Sequence, residues 1–106
     1  MIYVFDLDGT LCETDGMDYA DARPLLGRIG IVNGLYLAGH TIVIDTARGS
    51  GSGIDWHGET TWQLARWGVR YHELRCGKKA VGDVYVDDRA ENAAAFFEKA
   101  RRTHAR

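Results

Sequence analysis

The sequence has a single proline, two cysteines and no long apolar run. Each scarcity closes a class of function. With so little proline and no low-complexity stretch, the chain does not read as a linker or a disordered interaction segment. Cys12 and Cys76 stand far apart and outside any CxxC or other metal spacing. They read as free thiols of a reducing compartment, not as a disulfide. No apolar stretch approaches the roughly 20 residues that span a bilayer. The start, Met1-Ile2-Tyr3-Val4-Phe5-Asp6, carries no basic region or cleavage signal. A cytoplasmic protein with no membrane partner is therefore expected. Excess charge is missing as well: 13 Lys+Arg against 15 Asp+Glu leaves a net charge of −2. Such a balance exerts no general pull on nucleic acid or membrane. The basic end, Arg101 to Arg106, reads as the solvated terminus of a helix, where cations suit the dipole.

What is present fits one domain over residues 1–106, with 45% hydrophobic residues to build a core. Ile2-Tyr3-Val4-Phe5, Thr41-Ile42-Val43-Ile44 and Val84-Tyr85-Val86 are short apolar runs that read as buried strands. Val69 to Leu74 is a fourth, more polar strand candidate. Between them, helical spacing over Leu25, Leu26, Ile29, Val32, Leu35 and Tyr36 predicts a helix that starts near Arg23-Pro24 and closes at Gly39. Further helices are predicted from Asp55, as a cap, to Trp67, and from Ala90 to Arg101. Residues 9–22 and 47–55 read as loops. Strands alternating with helices predict an α/β protein: a three-layer, Rossmann-like parallel sheet with helices on both faces. In such sheets ligands sit outside the carboxyl ends of the strands. Asp6, Thr46 and Asp87 all fall at such ends, so the topology is expected to gather them at one sheet edge.

Their chemistry is coherent. Asp6 and Asp8, two positions apart in Asp6-Leu7-Asp8-Gly9-Thr10, suit a nucleophile that also binds a hard cation and a general acid/base. Gly9 permits the sharp turn between them, and Thr10 is placed to fix Asp8 by a hydrogen bond. Asp87-Asp88 adds oxygen ligands of the kind Mg²⁺ accepts. Thr46 can donate its hydroxyl and N–H to a phosphate oxygen. Lys78 can offset charge developing on phosphorus.

On these residues the chain resembles the haloacid dehalogenase (HAD) superfamily of phosphohydrolases over about residues 1–97. Asp6-Leu7-Asp8-Gly9-Thr10-Leu11 is similar to its first motif, Thr46 to its second, Lys78 to its third and Val84-Tyr85-Val86-Asp87-Asp88 to its fourth. The resemblance implies a single HAD-like hydrolase domain with Asp6 as nucleophile and Asp8 as acid/base. It also implies Mg²⁺ on Asp6, the backbone carbonyl of Asp8, and Asp87. Two alternatives stay open. Lys79 follows Lys78 directly, and Gly82-Asp83-Val84-Tyr85-Val86-Asp87 fits a GDxxxD pattern that would make Asp83 a ligand. Neither interval between the motifs can hold a cap domain, so an open, capless site is expected. Its closure would come from the 47–58 loop or from a neighbouring subunit of a homo-oligomer.

A narrower likeness runs from Thr46-Ala47-Arg48-Gly49-Ser50 through Asp55-Trp56, then from Trp67 to Leu74. It is to small capless proteins associated with capsule or lipopolysaccharide biosynthesis. A fainter one, on Arg48-Gly49-Ser50-Gly51, is to polynucleotide 3′-phosphatase domains. Both place Arg48 near the phosphate, as a substrate-binding residue beside Thr10. Asp45 is unusual before Thr46, where an apolar or small hydroxyl residue is commoner. The reading that results is a Mg²⁺-dependent phosphomonoester hydrolase acting through an aspartyl phosphate on a sugar phosphate or other small phosphometabolite of surface-polysaccharide synthesis, with a polynucleotide 3′-phosphatase or nucleotide phosphatase as one rival and a non-catalytic binding protein that keeps the fold as another. Trp56, Trp62 and Trp67 read as packing residues, and His40, His72 and His104 have no metal spacing. The glycine-rich 49–53 stretch lacks the Gly-Lys-Ser/Thr of a nucleotide P-loop.

Overall fold

Apolar, β-favouring residues open the chain as strand β1, Ile2–Asp6. The structure is a computed structural model and describes residues 1–77, 84–87 and 91–104. After β1 come two short strands, β2 (Cys12–Glu13) and β3 (Arg23–Pro24), and between them a 3-10 turn, Tyr19–Asp21. Helix α1 (Leu26–Leu37) leads to β4 (Thr41–Thr46), and α2 (His57–Arg66) leads to β5 (Glu73–Cys76). β6 (Val84–Asp87), β7 (Glu91–Asn92) and α3 (Ala93–His104) complete the order. β5, β4, β1, β6 and β7 lie side by side in one sheet, every pair parallel.

The strand order reverses at β1. From β1 the chain steps outward to β4 and again to β5, then returns to the far side of β1 as β6. Two right-handed crossovers taken in one direction place α1 and α2 on the same face of the sheet. The packing agrees. Phe5, Ile42, Ile44 and Val86 share one cluster with Ile29, Val32 and Leu35 of α1, Leu64 of α2, and Ala93 and Phe97 of α3. Phe97 stacks on Phe5 at 5.9 Å and Phe96 meets it edge-on at 5.8 Å. The alternate residues Val4 and Val43, register partners, are buried separately on the other face. Helices were expected on both faces. Among the described residues, the buried apolar side chains of all three helices serve one face. No helix of the described residues is long and apolar enough to cross a membrane.

Three local expectations differ from what is found. α1 begins at Leu26, not at Arg23-Pro24. Proline forces the residue before it towards extended backbone, and Arg23–Pro24 instead pairs antiparallel with Cys12–Glu13. β5 starts at Glu73, because Val69 belongs to the end of α2. Its N–H reaches the Leu64 carbonyl at 3.0 Å while the Gly68 N–H reaches that of Ala65 at 3.2 Å. Trp62 is 60% exposed, with the Arg66 guanidinium over its ring, so it does not pack in the core.

Candidate functional site at the carboxyl edge of the sheet

The loop after β1 is built around one oxygen. The N–H groups of Thr10, Leu11 and Cys12 all reach the Leu7 carbonyl, at 3.1, 2.8 and 3.3 Å. Gly9 makes this curl possible with a φ of 83°, a left-handed conformation that a side chain would strain. Leu7 and Leu11 are buried under the loop, which leaves Asp8 between them facing the carboxyl edge.

Asp8 is held from several sides. Arg48 Nε donates to its Oδ2 at 2.9 Å and Arg48 Nη2 to its Oδ1 at 2.7 Å, a two-pronged ion pair. The Thr14 hydroxyl donates to Oδ1 at 2.6 Å, and Cys12 Sγ lies 3.5 Å from the same oxygen. Burial alone would raise the Asp8 pKa, but the hydrogen bonds from Arg48 and Thr14 and the charge of Arg48 outweigh it. Asp8 is therefore held as a carboxylate, with 24% of its side chain still open to solvent. The Cys12 thiol beneath it is pushed up to about 11, chiefly by burial, and stays protonated.

Arg48 itself is buried. Its Nη1 donates to Thr60 Oγ1 at 3.1 Å and to Gln63 Oε1 at 2.6 Å, and Nη2 points at Cys12 Sγ at 4.0 Å. With the two bonds to Asp8, all five N–H groups of the guanidinium have a partner. Its plane lies over the Tyr19 ring at 4.7 Å. Gln63 Nε2 donates in turn to the Tyr19 carbonyl at 2.6 Å. Arg48 thus positions Asp8, and in this state it has no donor left for a phosphate. Thr10 is buried too, and its carbonyl accepts a bond from Arg28 at 3.0 Å. The hydroxyl that steadies Asp8 is that of Thr14.

The other predicted residues assemble by register. Asp6 lies one step past the pair Phe5↔Val86, as does Asp87 on β6, so their backbones end side by side on neighbouring strands. On its other flank Asp6 pairs with Asp45. Thr46 is buried, and its Oγ1 accepts the Arg48 N–H at 3.2 Å. Lys78, Lys79, Asp83 and Asp88 lie outside the described residues, as does the side chain of Asp87. Among the described residues, no group of three or more His, Cys, Asp and Glu side chains could hold a metal ion.

Sequence reasoning missed Thr14, Tyr19, Thr60 and Gln63. A signal existed for two of them. Thr60, Gln63 and Leu64 recur at helical spacing on the buried side of α2, and polar residues on a core face require a buried partner. Thr14 and Tyr19 sit in an irregular loop where no periodicity marks them.

Fold and site together define a parallel α/β protein in which Asp6 and Asp87 end neighbouring strands where the strand order reverses. One solved structure, a crystal structure of a target protein from Vibrio cholerae, is similar along nearly the whole length. It is 31% identical, covering 96% of this chain and 95% of that chain with a TM-score of 0.72. At that identity and coverage the chain belongs to the family of that Vibrio cholerae protein. No family model and no curated protein matches the sequence.

Proposed function

We propose that this protein is a HAD-type, Mg²⁺-dependent phosphomonoester hydrolase without a cap domain. The observation that carries the reading is the register. Asp6 and Asp87 end adjacent strands at the switch point, with Thr46 on the next strand, and Asp8 is fixed beside them. That is where open α/β sheets bind ligands.

In this reading Asp6 attacks phosphorus, the bond to the leaving oxygen breaks, and an aspartyl phosphate forms on Asp6. Asp8 takes a proton from the water that then hydrolyses it. Arg48 keeps Asp8 ionised, which suits this second half of the cycle. The first half, in which Asp8 protonates the leaving oxygen, works against the same ion pair. Substrates that need little help to depart are therefore expected to turn over faster. Thr46 donates its hydroxyl to the phosphate, and Lys78 or Lys79 offsets developing charge.

The donors assigned to the cation are all oxygens: the carboxylates of Asp6 and Asp87, with Asp88 beside it, and the Asp8 carbonyl. An all-oxygen set fits Mg²⁺. When bound, the ion would neutralise the repulsion between these anions and the phosphate.

A small phosphorylated substrate fits better than a nucleic-acid end. Glu13, Asp15, Asp18 and Asp21 lie on the loop that leads away from Asp8, with Arg23 paired to Glu13 and Asp15, and the acidic excess that is left disfavours a polyanion. The test is hydrolysis of an aryl phosphate by the purified protein. EDTA should abolish it and Mg²⁺ restore it; turnover that ignores both would overturn the metal-dependent reading.

A further inference from the structure

β5 is an outer strand of the sheet, and among the described residues its far edge pairs with no other strand. All four of its residues, Glu73–Cys76, border a groove of about 390 Å³ that Asp55 and His57 also line. An uncovered edge is a ready template for another strand, and proteins that stay single blunt it with proline, bulges or very short strands. β7, at the opposite edge, is only two residues long. β5 is longer and contains no proline or glycine.

The ladder fixes which backbone groups of β5 face outward. The Ile42 and Thr46 carbonyls both reach towards β5, where they accept the N–H groups of His72 at 2.8 Å and Gly77 at 2.7 Å. Even-numbered residues of β4 therefore face β5, Ile44 among them. In a parallel pair such a residue bonds to the two neighbours of its register partner. The partner of Ile44 is Leu74, so its bonds go to Glu73 and Arg75. Leu74 is left with its N–H and C=O turned away from the sheet.

The side chains carry a pattern that a second copy of this chain completes. Glu73 and Arg75 stand two apart on one face, and Arg75 Nε donates to Glu73 Oε1 at 3.1 Å. Their side chains keep 49% and 38% exposure. A half-turn about Leu74 lays a second β5 antiparallel to the first. Leu74 then meets Leu74 of the second copy, and the two can exchange N–H···O bonds in both directions. Glu73 meets Arg75 of the second copy and Arg75 meets its Glu73, on one face, so four charges alternate in sign. Opposite charges across strands stabilise, and an in-register parallel pairing would set like against like. Ile54, next in sequence to Asp55 of the groove, is 58% exposed and adds apolar surface.

We propose that β5 is a self-association edge, where a second copy pairs antiparallel about Leu74 to give a two-fold dimer with one sheet running through both chains. The inference stands apart from the phosphatase reading.

The experiment is sedimentation equilibrium of the full chain from about 1 μM to about 1 mM, the span of dissociation constants of weak specific contacts. The wild type should pass from one copy to two and stop there. Glu73→Arg and Arg75→Glu each set like charges opposite one another twice and should weaken association at least about tenfold. Mixed in equal amounts, the two variants should pair again, because every arginine then meets an acid. Both changes on one chain should restore the dimer. Rescue of this kind cannot come from a misfolded variant. A wild type that stays single throughout, or masses that climb past two copies, would overturn the proposal. So would reversals that leave the dimer intact, or that weaken it without rescue on mixing.

Discussion

The two sides of the sheet edge are built on opposite plans. On the β1 side Asp8 is saturated: Arg48, Thr14 and Cys12 crowd one carboxylate. On the β5 side an open groove presents acids and bases that mostly pair with near neighbours in sequence. One side leaves its functional group a single arrangement, and the other leaves room. Chemistry common to many substrates needs the first plan, because a small misplacement of an acid/base group is costly. Recognition of a second chain can live on the second, where a changed side chain disturbs little else.

The largest expected effect comes from Asp6, the proposed nucleophile. Asp6→Asn should remove turnover of an aryl phosphate altogether while circular dichroism stays unchanged, and retained turnover would exclude Asp6 from that role. Arg48→Met comes next. It strands the partly buried Asp8 carboxylate and should cost about 3 kcal/mol of stability in urea unfolding, with kcat falling more than KM rises. Arg48→Lys should recover only part of this, since an ammonium cannot reproduce the two-pronged contact. A third test uses acid. The folded pKa of Asp8 lies below its ordinary value of 3.8, so the unfolded chain takes up that proton first. The stabilisation is complete above about pH 5 and is lost as pH falls through the folded pKa. Arg48→Met should flatten that loss, and a wild-type acid profile that the substitution leaves unaltered would show the pair to be inert. Gly49→Ala should cost a comparable amount: Gly49 sits at φ 85°, which alone strains a side chain by about 1–3 kcal/mol, and a Cβ there would also collide with the Ile54 carbonyl oxygen. The smallest effect is that of Thr14→Val, about 1 kcal/mol for one hydroxyl bond. No substitution of a residue that lines the groove should approach the Arg48→Met cost. One that did would break the contrast between the two sides.

Much of the scaffold was legible because it rests on local pattern. β1, β4 and β6 are apolar runs buried in a parallel sheet, and such runs announce themselves. β5 was placed too early because it is an edge strand with Glu73 and Arg75 on one face, so its polarity hides it. β2, β3 and β7 are two residues each, fixed by distant partners and not by their own composition. At the site, the carboxylates stood out by spacing from strand ends. The work of Arg48 did not, because a sequence records that an arginine follows closely on Thr46 but not that five acceptors already claim it. Thr10 stands out in the sequence while Thr14 makes the bond, for a similar reason: proximity in sequence is a poor guide where the chain curls back on itself.

Arg48 also ties together three remote pieces of the chain, since the same guanidinium touches the Asp8 loop, the Tyr19 turn and the Thr60–Gln63 stretch of α2. None of the three can drift off without loosening the other two. Amide protons in α2 should therefore exchange with solvent in step with those of the 7–12 segment, and whatever frays that helix would silence Asp8 from the far end of the knot.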